Sequence, residues 1–285
     1  MQIKMQNVTF GTVFVGEKGI IIEYKMKEVA LVCSSGSSRG LTQIGAIDAL
    51  IERGYHIHSV AGCSIGAIIG GLYAAGKLEE LKSFFREMNM RQMLRLSDFS
   101  VGREYLIKGS KLLDTFGSMI PDYRIEDLPT PLALIATDIR TGREQVFREG
   151  NLATLIRASF SLPVILRPVE YQDMLLVDGG VTNPLPLNRV DRKDGDILVA
   201  LNVSAPIDTG KDTPSQLPFS LLDRVSDIML VQNSELMKQL CPPDMEMQIA
   251  INDLGTYDYD KADELIALGH ELMTREIDRY EKTHS

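Results

Sequence analysis

Residues 29–66 read VALVCSSGSSRGLTQIGAIDALIERGYHIHSVAGCSIG, and the order of hydrophobic patterns in this stretch decides the fold. It opens with a continuous apolar run, Val29-Ala30-Leu31-Val32-Cys33, typical of a strand buried on both faces of a parallel sheet. A polar loop, residues 34–40, comes next. Apolar side chains then recur at helical spacing (Leu41, Ile44, Ile47, Leu50, Ile51), and Gly54 closes the helix predicted over 41–53. Residues 55–61 read as a second strand. After a sharp turn, residues 67–75 read as a small-residue helix stopped by Gly76.

Working outward, the same alternation continues. Strands are predicted over 131–137, 144–147, 167–171, 174–177, 197–203 and 245–251. Helical patterns fall at 78–95, 111–119, 152–159, 221–240 and 260–282. Strands alternating with helices predict an α/β fold, a mainly parallel central sheet covered on both faces. Upstream, residues 8–15 and 20–24 are rich in β-branched and aromatic residues around the turn sequence Gly16-Glu17-Lys18-Gly19. They predict a β-hairpin, so residues 1–28 are expected to form an extension and residues 29–285 one domain. Residues 205–219, with Pro206, Gly210, Pro214 and Pro218, read as a long surface loop.

Composition narrows the function classes. The chain has 285 residues, 44% of them hydrophobic and 24% charged, with a net charge of −9. That balance disfavours nucleic acid, whose phosphates call for a basic footprint. Cys33, Cys63 and Cys241 are too few and too scattered for a disulfide framework or a metal knot. No ligand cluster for a metal or cofactor is visible, and none is expected. There is no apolar stretch near Met1 of the signal-peptide kind, and no run long enough to span a bilayer. A cytoplasmic protein is expected, with peripheral contact at the inner membrane face and assembly into a homo-oligomer both compatible with the composition.

Three motifs carry chemistry. Gly62-Cys63-Ser64-Ile65-Gly66 matches G-x-S-x-G at the end of a predicted strand and the start of a helix. In that setting the serine sits on a strained turn with its Oγ projecting from the sheet edge, and the flanking glycines let helix and strand pack closely. A tight turn without chemistry is the competing reading. The loop Ser34-Ser35-Gly36-Ser37-Ser38-Arg39-Gly40 lacks the Gly-Lys-[Ser/Thr] ending of a phosphate-binding loop and the spacing of a dinucleotide fingerprint. Its small residues still allow backbone N–H groups of Gly36, Ser37 and Ser38 to converge on an anion or an oxyanion. Third, the apolar strand Leu175-Leu176-Val177 delivers Asp178 into the turn Gly179-Gly180. Histidine is the missing partner. Only His270 and His284 follow Asp178; the first lies within a helical pattern and the second in a polar tail, so a Ser-Asp-His order is poorly served.

The combination of the loop ending Arg39-Gly40, the elbow around Ser64 and the Asp178-Gly179-Gly180 turn resembles the patatin-like phospholipases, closest to small single-domain bacterial members. The stretches Arg157-Ala158-Ser159-Phe160-Ser161-Leu162-Pro163 and Asn183-Pro184-Leu185-Pro186 add to the likeness. The resemblance implies a three-layer α/β/α fold, catalysis by a dyad of Ser64 and Asp178, and an oxyanion hole from the loop at Gly36, Ser37 and Ser38. Arg39, Gly40, Gly62, Gly66, Gly179 and Gly180 would support those motifs. It implies a lipid or other acyl-ester substrate and no cofactor. The departure is in the loop, where Ser35-Gly36-Ser37-Ser38 stands in place of a glycine run. A non-catalytic lipid-binding or regulatory protein, or a thioesterase or general carboxylesterase, shares the same motifs. Residues 84–96, basic and rich in Met and Phe, are expected to form either a lid or membrane contact, or a helix packed on its own core.

Overall fold

A computed structural model of the chain describes residues 10–15, 20–25, 27–87, 118–120, 122–204, 218–249 and 261–284. Residues Phe10–Val15 (β1) and Ile20–Lys25 (β2) pair antiparallel as a two-stranded ribbon. The turn predicted at 16–19, most of the helix predicted at 111–119 and residues 88–96 of the basic segment lie outside the described residues.

The main sheet is built from β3 (Lys27–Cys33), β4 (Tyr55–Cys63), β5 (Leu132–Asp138), β6 (Arg143–Phe147), β7 (Val169–Tyr171), β8 (Met174–Asp178), β9 (Ile197–Asn202) and β10 (Met245–Gln248). Its order is β10-β9-β3-β4-β5-β8-β7, with β6 also on β5. The pairs from β10 to β5 are parallel, while β6, β7 and β8 join antiparallel. The fold is therefore α/β with a mostly parallel sheet. Val29 to Cys33 are fully buried, as a strand covered on both faces requires.

Alternate residues of the central strands feed two separate cores. Val29, Leu31, Val60 and Leu134 face a large cluster with the helices α1 (Leu41–Glu52), α2 (Ile65–Ala74), α3 (Leu78–Glu87), α4 (Leu152–Ser159) and α6 (Ala262–His284). Ala30, Val32, Ala61 and Ala200 face a thinner layer made by Leu185, Leu187 and Val190, with Met237 of α5 (Pro218–Leu240) against it. Small side chains on that second face let the covering chain approach closely, which keeps the layer compact despite its few large residues.

The helical layer is locked by a contact that hydrophobic periodicity does not reveal. A methyl group on Gly45 of α1 would lie 1.8 Å from the carbonyl oxygen of Ile266, and one on Gly269 of α6 would lie 1.8 Å from that of Thr42. The two helices meet backbone to backbone, so α6 is seated directly on the strand–helix unit that begins the domain. Phe85 of α3 is buried with Phe84 edge-on to it at 5.3 Å, so this beginning of the basic segment packs on the core.

Candidate active site

β4 runs to Cys63, two residues past its predicted end, and α2 begins at Ile65, two residues before its predicted start. Only Ser64 separates strand from helix. Its backbone has φ 57° and ψ −121°, a conformation rarely adopted by a residue with a side chain. Such a turn is tolerable because Gly66 follows: a Cβ there would fall 2.2 Å from the carbonyl oxygen of Cys33. The Ser64 N–H donates to Ser159 Oγ at 2.9 Å, which fixes the strained residue from the end of α4.

The register on β5 explains why Ser64 meets Asp178. Cys63 pairs with Ile135 and Asp178 with Ala136, the next residue. β6 occupies one edge of β5 along this stretch, so β4 and β8 share the other edge. β4 runs parallel to β5 and β8 antiparallel, so the two strands approach head on and their C-terminal ends meet. There Ser64 Oγ donates to Asp178 Oδ2 at 2.5 Å.

Asp178 is held on every side. Its N–H donates to the Ser161 carbonyl at 2.9 Å, its own carbonyl accepts from Thr137 Oγ1 at 3.0 Å, and its Oδ1 accepts the Gly180 N–H at 2.7 Å. Among the described residues no cation partners the carboxylate. Burial pushes its pKa up to about 6, against the opposing pull of the hydrogen bonds from Ser64 and Gly180. A carboxyl so placed is a far better proton acceptor near neutrality than an exposed aspartate. The neighbouring thiol is no competitor. Cys63 is fully buried, and burial, reinforced by the charges of Asp178 and Glu144, holds its pKa well above the usual range.

The loop of residues 34–40 lies beside this pair. The Ser34 N–H goes to the Leu201 carbonyl and the Ser35 N–H to that of Pro184, so neither is available to the site. Ser37 has φ 53° and opens a single 3-10 turn, Ser37–Gly40. Arg39 is buried; its Nε donates to the Gly36 carbonyl at 3.2 Å and its Nη2 reaches Asp227 of α5 at 3.4 Å. Gln43 Nε2 donates to the Ser34 carbonyl at 2.9 Å, bracing the loop from α1. Gly40 faces Ile65, the residue after Ser64, with no room for a side chain. Gly62 likewise abuts Gly66, and Gly179 abuts the Ile135 carbonyl.

A cavity of about 120 Å³ opens beside Asp178. Asp178, Gly180, Ser35 and Ser37 give it a polar side, Leu162, Pro163, Ile165 and Val181 an apolar one, and α5 contributes Ser226, Asp227, Met229 and Leu230. Its lining mixes apolar side chains with a few polar groups, the usual make-up of a small-molecule pocket.

The histidines are elsewhere. His58 is buried against Asp196 at 3.0 Å, His56 pairs with Glu28, His270 with Glu52 on the surface, and His284 stacks on Tyr280. Ser159, Ser161 and Thr137, which hold the pair in place, carry no periodicity or motif logic of their own. Ser159 and Ser161 stand in the 157–163 stretch noted above, which was the available signal.

A family model described as patatin-like phospholipase matches residues 31–191, more than half of the chain, and this chain belongs to that family. An uncharacterized NTE family protein of Mycobacterium tuberculosis is 38% identical over 176 residues, 62% of this chain and 49% of its own length. Lysophospholipase NTE1 of Debaryomyces hansenii is 27% identical over 290 residues, 90% of this chain but 18% of that protein. This chain therefore spans about half, or less, of the curated relatives it matches. Among solved structures, VipD from Legionella pneumophila aligns with a TM-score of 0.53 at 15% identity, covering 99% of this chain and 71% of that one, a likeness of fold.

Proposed function

We propose that the chain is a serine esterase of the phospholipase or lysophospholipase type, with Ser64 as nucleophile and Asp178 as its only protein base. The single observation that carries this reading is the 2.5 Å hydrogen bond from a strained, elbow-borne Ser64 Oγ to a buried Asp178 carboxylate with no histidine beside it. Family membership and the lysophospholipase name of a relative support a lipid substrate.

In this reading Ser64 Oγ attacks the acyl carbonyl while its proton passes to Asp178 Oδ2. The carbonyl oxygen becomes an oxyanion facing backbone donors of Gly36, Ser37 and Ser38, each worth on the order of 3 kcal/mol when well placed. Collapse breaks the ester bond, and the departing alcohol takes the proton from Asp178. Water then attacks the acyl-serine, gives its proton to Asp178 and releases the fatty acid, and Ser64 recovers its proton. The division into an extension at 1–28 and a hydrolase domain at 29–285 belongs to the same proposal, as does a cytoplasmic setting. No described helix is long and apolar enough to cross a membrane.

Labelling with a fluorophosphonate probe tests the nucleophile. Wild-type protein and His270→Ala are expected to label alike and Ser64→Ala not at all. Undiminished labelling of Ser64→Ala, or loss of labelling in His270→Ala, would remove the dyad from consideration.

A further inference from the structure

The long helix α5 forms one wall of the cavity, yet much of its outward side is apolar. Leu221, Val225, Ile228, Met229, Leu236 and Leu240 are exposed by 40–80%. The other exposed positions with described side chains, Gln232 and Gln239, are uncharged. The row runs from 221 to 240, about 28 Å at 1.5 Å per residue. Solvent-facing helix surfaces are ordinarily charged, so an uncharged row of this length marks a contact surface. The charged residues Arg224, Asp227, Glu235 and Lys238 sit to one side of it, Asp227 bonded to the oxyanion-loop Arg39 and Lys238 to Glu246.

Two observations connect this row to the cavity. Met229 belongs to both, exposed at 47% and lining the cavity wall. Val164, between the lining residues Pro163 and Ile165, and Val181, itself in the lining, are also exposed, at 53% and 38%. Val164 has a left-handed backbone, φ 72°, which a β-branched residue adopts only where its surroundings hold it. Three separate chain segments thus present uncovered apolar side chains around one opening.

We infer that this collar, led by the exposed row of α5, seats the protein on a neutral lipid surface with the cavity mouth facing the lipid. The inference rests on the lipid-esterase reading above and adds where and how the substrate arrives. A monomeric ester dissolved in water needs the cavity alone and leaves the 28 Å row without a use. A protein partner seated across Val164, Val181 and Met229 would close the opening, whereas a lipid surface there supplies the substrate. Charge fits too: the row carries none and the chain is −9 overall, which favours zwitterionic over anionic headgroups.

The test uses the full chain and Val225→Asp/Leu236→Asp, whose changed side chains are exposed and outside the cavity lining. Sedimentation with phosphatidylcholine vesicles is expected to capture wild type, with capture of the variant falling roughly tenfold or more. Hydrolysis of p-nitrophenyl butyrate, a monomeric ester, is expected to be equal in both. Wild type that stays in the supernatant, or a variant captured as well as wild type, would overturn the inference. So would a wild-type dimer, seen by analytical ultracentrifugation, that the variant dissolves without any vesicle binding; the row would then belong to a second copy. Absence of esterase activity in both proteins alongside vesicle capture of wild type alone would instead refute the enzymatic reading and leave the docking surface standing.

Discussion

Two carboxylates at different places in the fold have been pushed in opposite directions. Asp178, at the meeting of β4 and β8, is buried with no cation beside it among the described residues, and its pKa rises to about 6. Glu281, on the last helix, accepts from Lys27 Nζ at 2.6 Å, Arg53 Nη2 at 2.6 Å and the Tyr55 hydroxyl at 3.2 Å. These partners, Lys27 foremost, bring its pKa down to about 2. The first carboxylate costs stability and is poised to take a proton. The second contributes stability, fastening α6 to the start of β3 and β4. The same functional group serves reactivity or cohesion according to whether water was replaced by apolar walls or by cations.

The largest expected effect breaks the first half of this contrast. Asp178→Asn should lower kcat by about 1,000-fold or more, because an amide cannot take the Ser64 proton and this step alone is worth two to four orders of magnitude. The wild-type pH–rate profile should lose activity as pH falls through about 6, where Asp178 becomes protonated. The linkage to stability has a definite sign. A folded-state pKa above the ordinary 3.8 means that the native protein binds the extra proton, so stability falls as pH rises from about 4 through about 6. The full penalty at pH 8 is about 3 kcal/mol from the size of that shift. Asp178→Asn should therefore melt several degrees above wild type at pH 8, with the gap closing toward pH 4. A variant less stable than wild type at pH 8 would mean that the charged carboxylate is not strained in its site.

A smaller effect sharpens the contrast by leaving the carboxylate intact. Ser159→Ala removes the acceptor for the buried Ser64 N–H. Leaving such a donor unpaired costs about 1–3 kcal/mol, so kcat on a soluble ester should fall about 10- to 100-fold with KM unchanged. Ser159→Thr, which retains a hydroxyl, should recover part of the loss. Equal loss in both variants would assign Ser159 to packing alone.

The smallest effect belongs to the other carboxylate. Glu281→Gln should reduce stability by about 1 kcal/mol at neutral pH, since its partners are partly exposed and solvent screens them. A depressed pKa contributes above the ordinary 4.5, and that contribution is lost as pH falls toward about 2. Chemical denaturation at pH 7 and pH 3 should show the difference shrinking with acid, and kcat should be unchanged throughout.

Much of this was written locally. The apolar run 29–33, the small-residue loop, the elbow at Ser64 and the turn at Asp178 each show their character over a few consecutive residues, because strand burial, tight turns and helix starts are short-range constraints. The α/β class, the family and the two residues of the proposed dyad were legible for that reason. The helix boundary at Ile65 was not, since periodicity registers a helix only once its apolar face has repeated.

What the chain alone left open was every relation between distant segments. The backbone seat of Gly269 on Thr42 pairs residues far apart in sequence, and neither glycine announces its partner. The same holds for Ser159 reaching Ser64 and Ser161 reaching Asp178, where ordinary serines acquire meaning only from what folds against them. α5 is the plainest case: its pattern predicted a helix, while its roles as cavity wall and as bearer of an exposed apolar row depend on what the fold sets beside it. Sequence fixes which residues can turn, bury or react, because those are properties of side chain and local backbone. Distance, desolvation and exposure are properties of the assembled fold, and they decide that Asp178 sits buried with a raised pKa while Glu281 holds a helix in place.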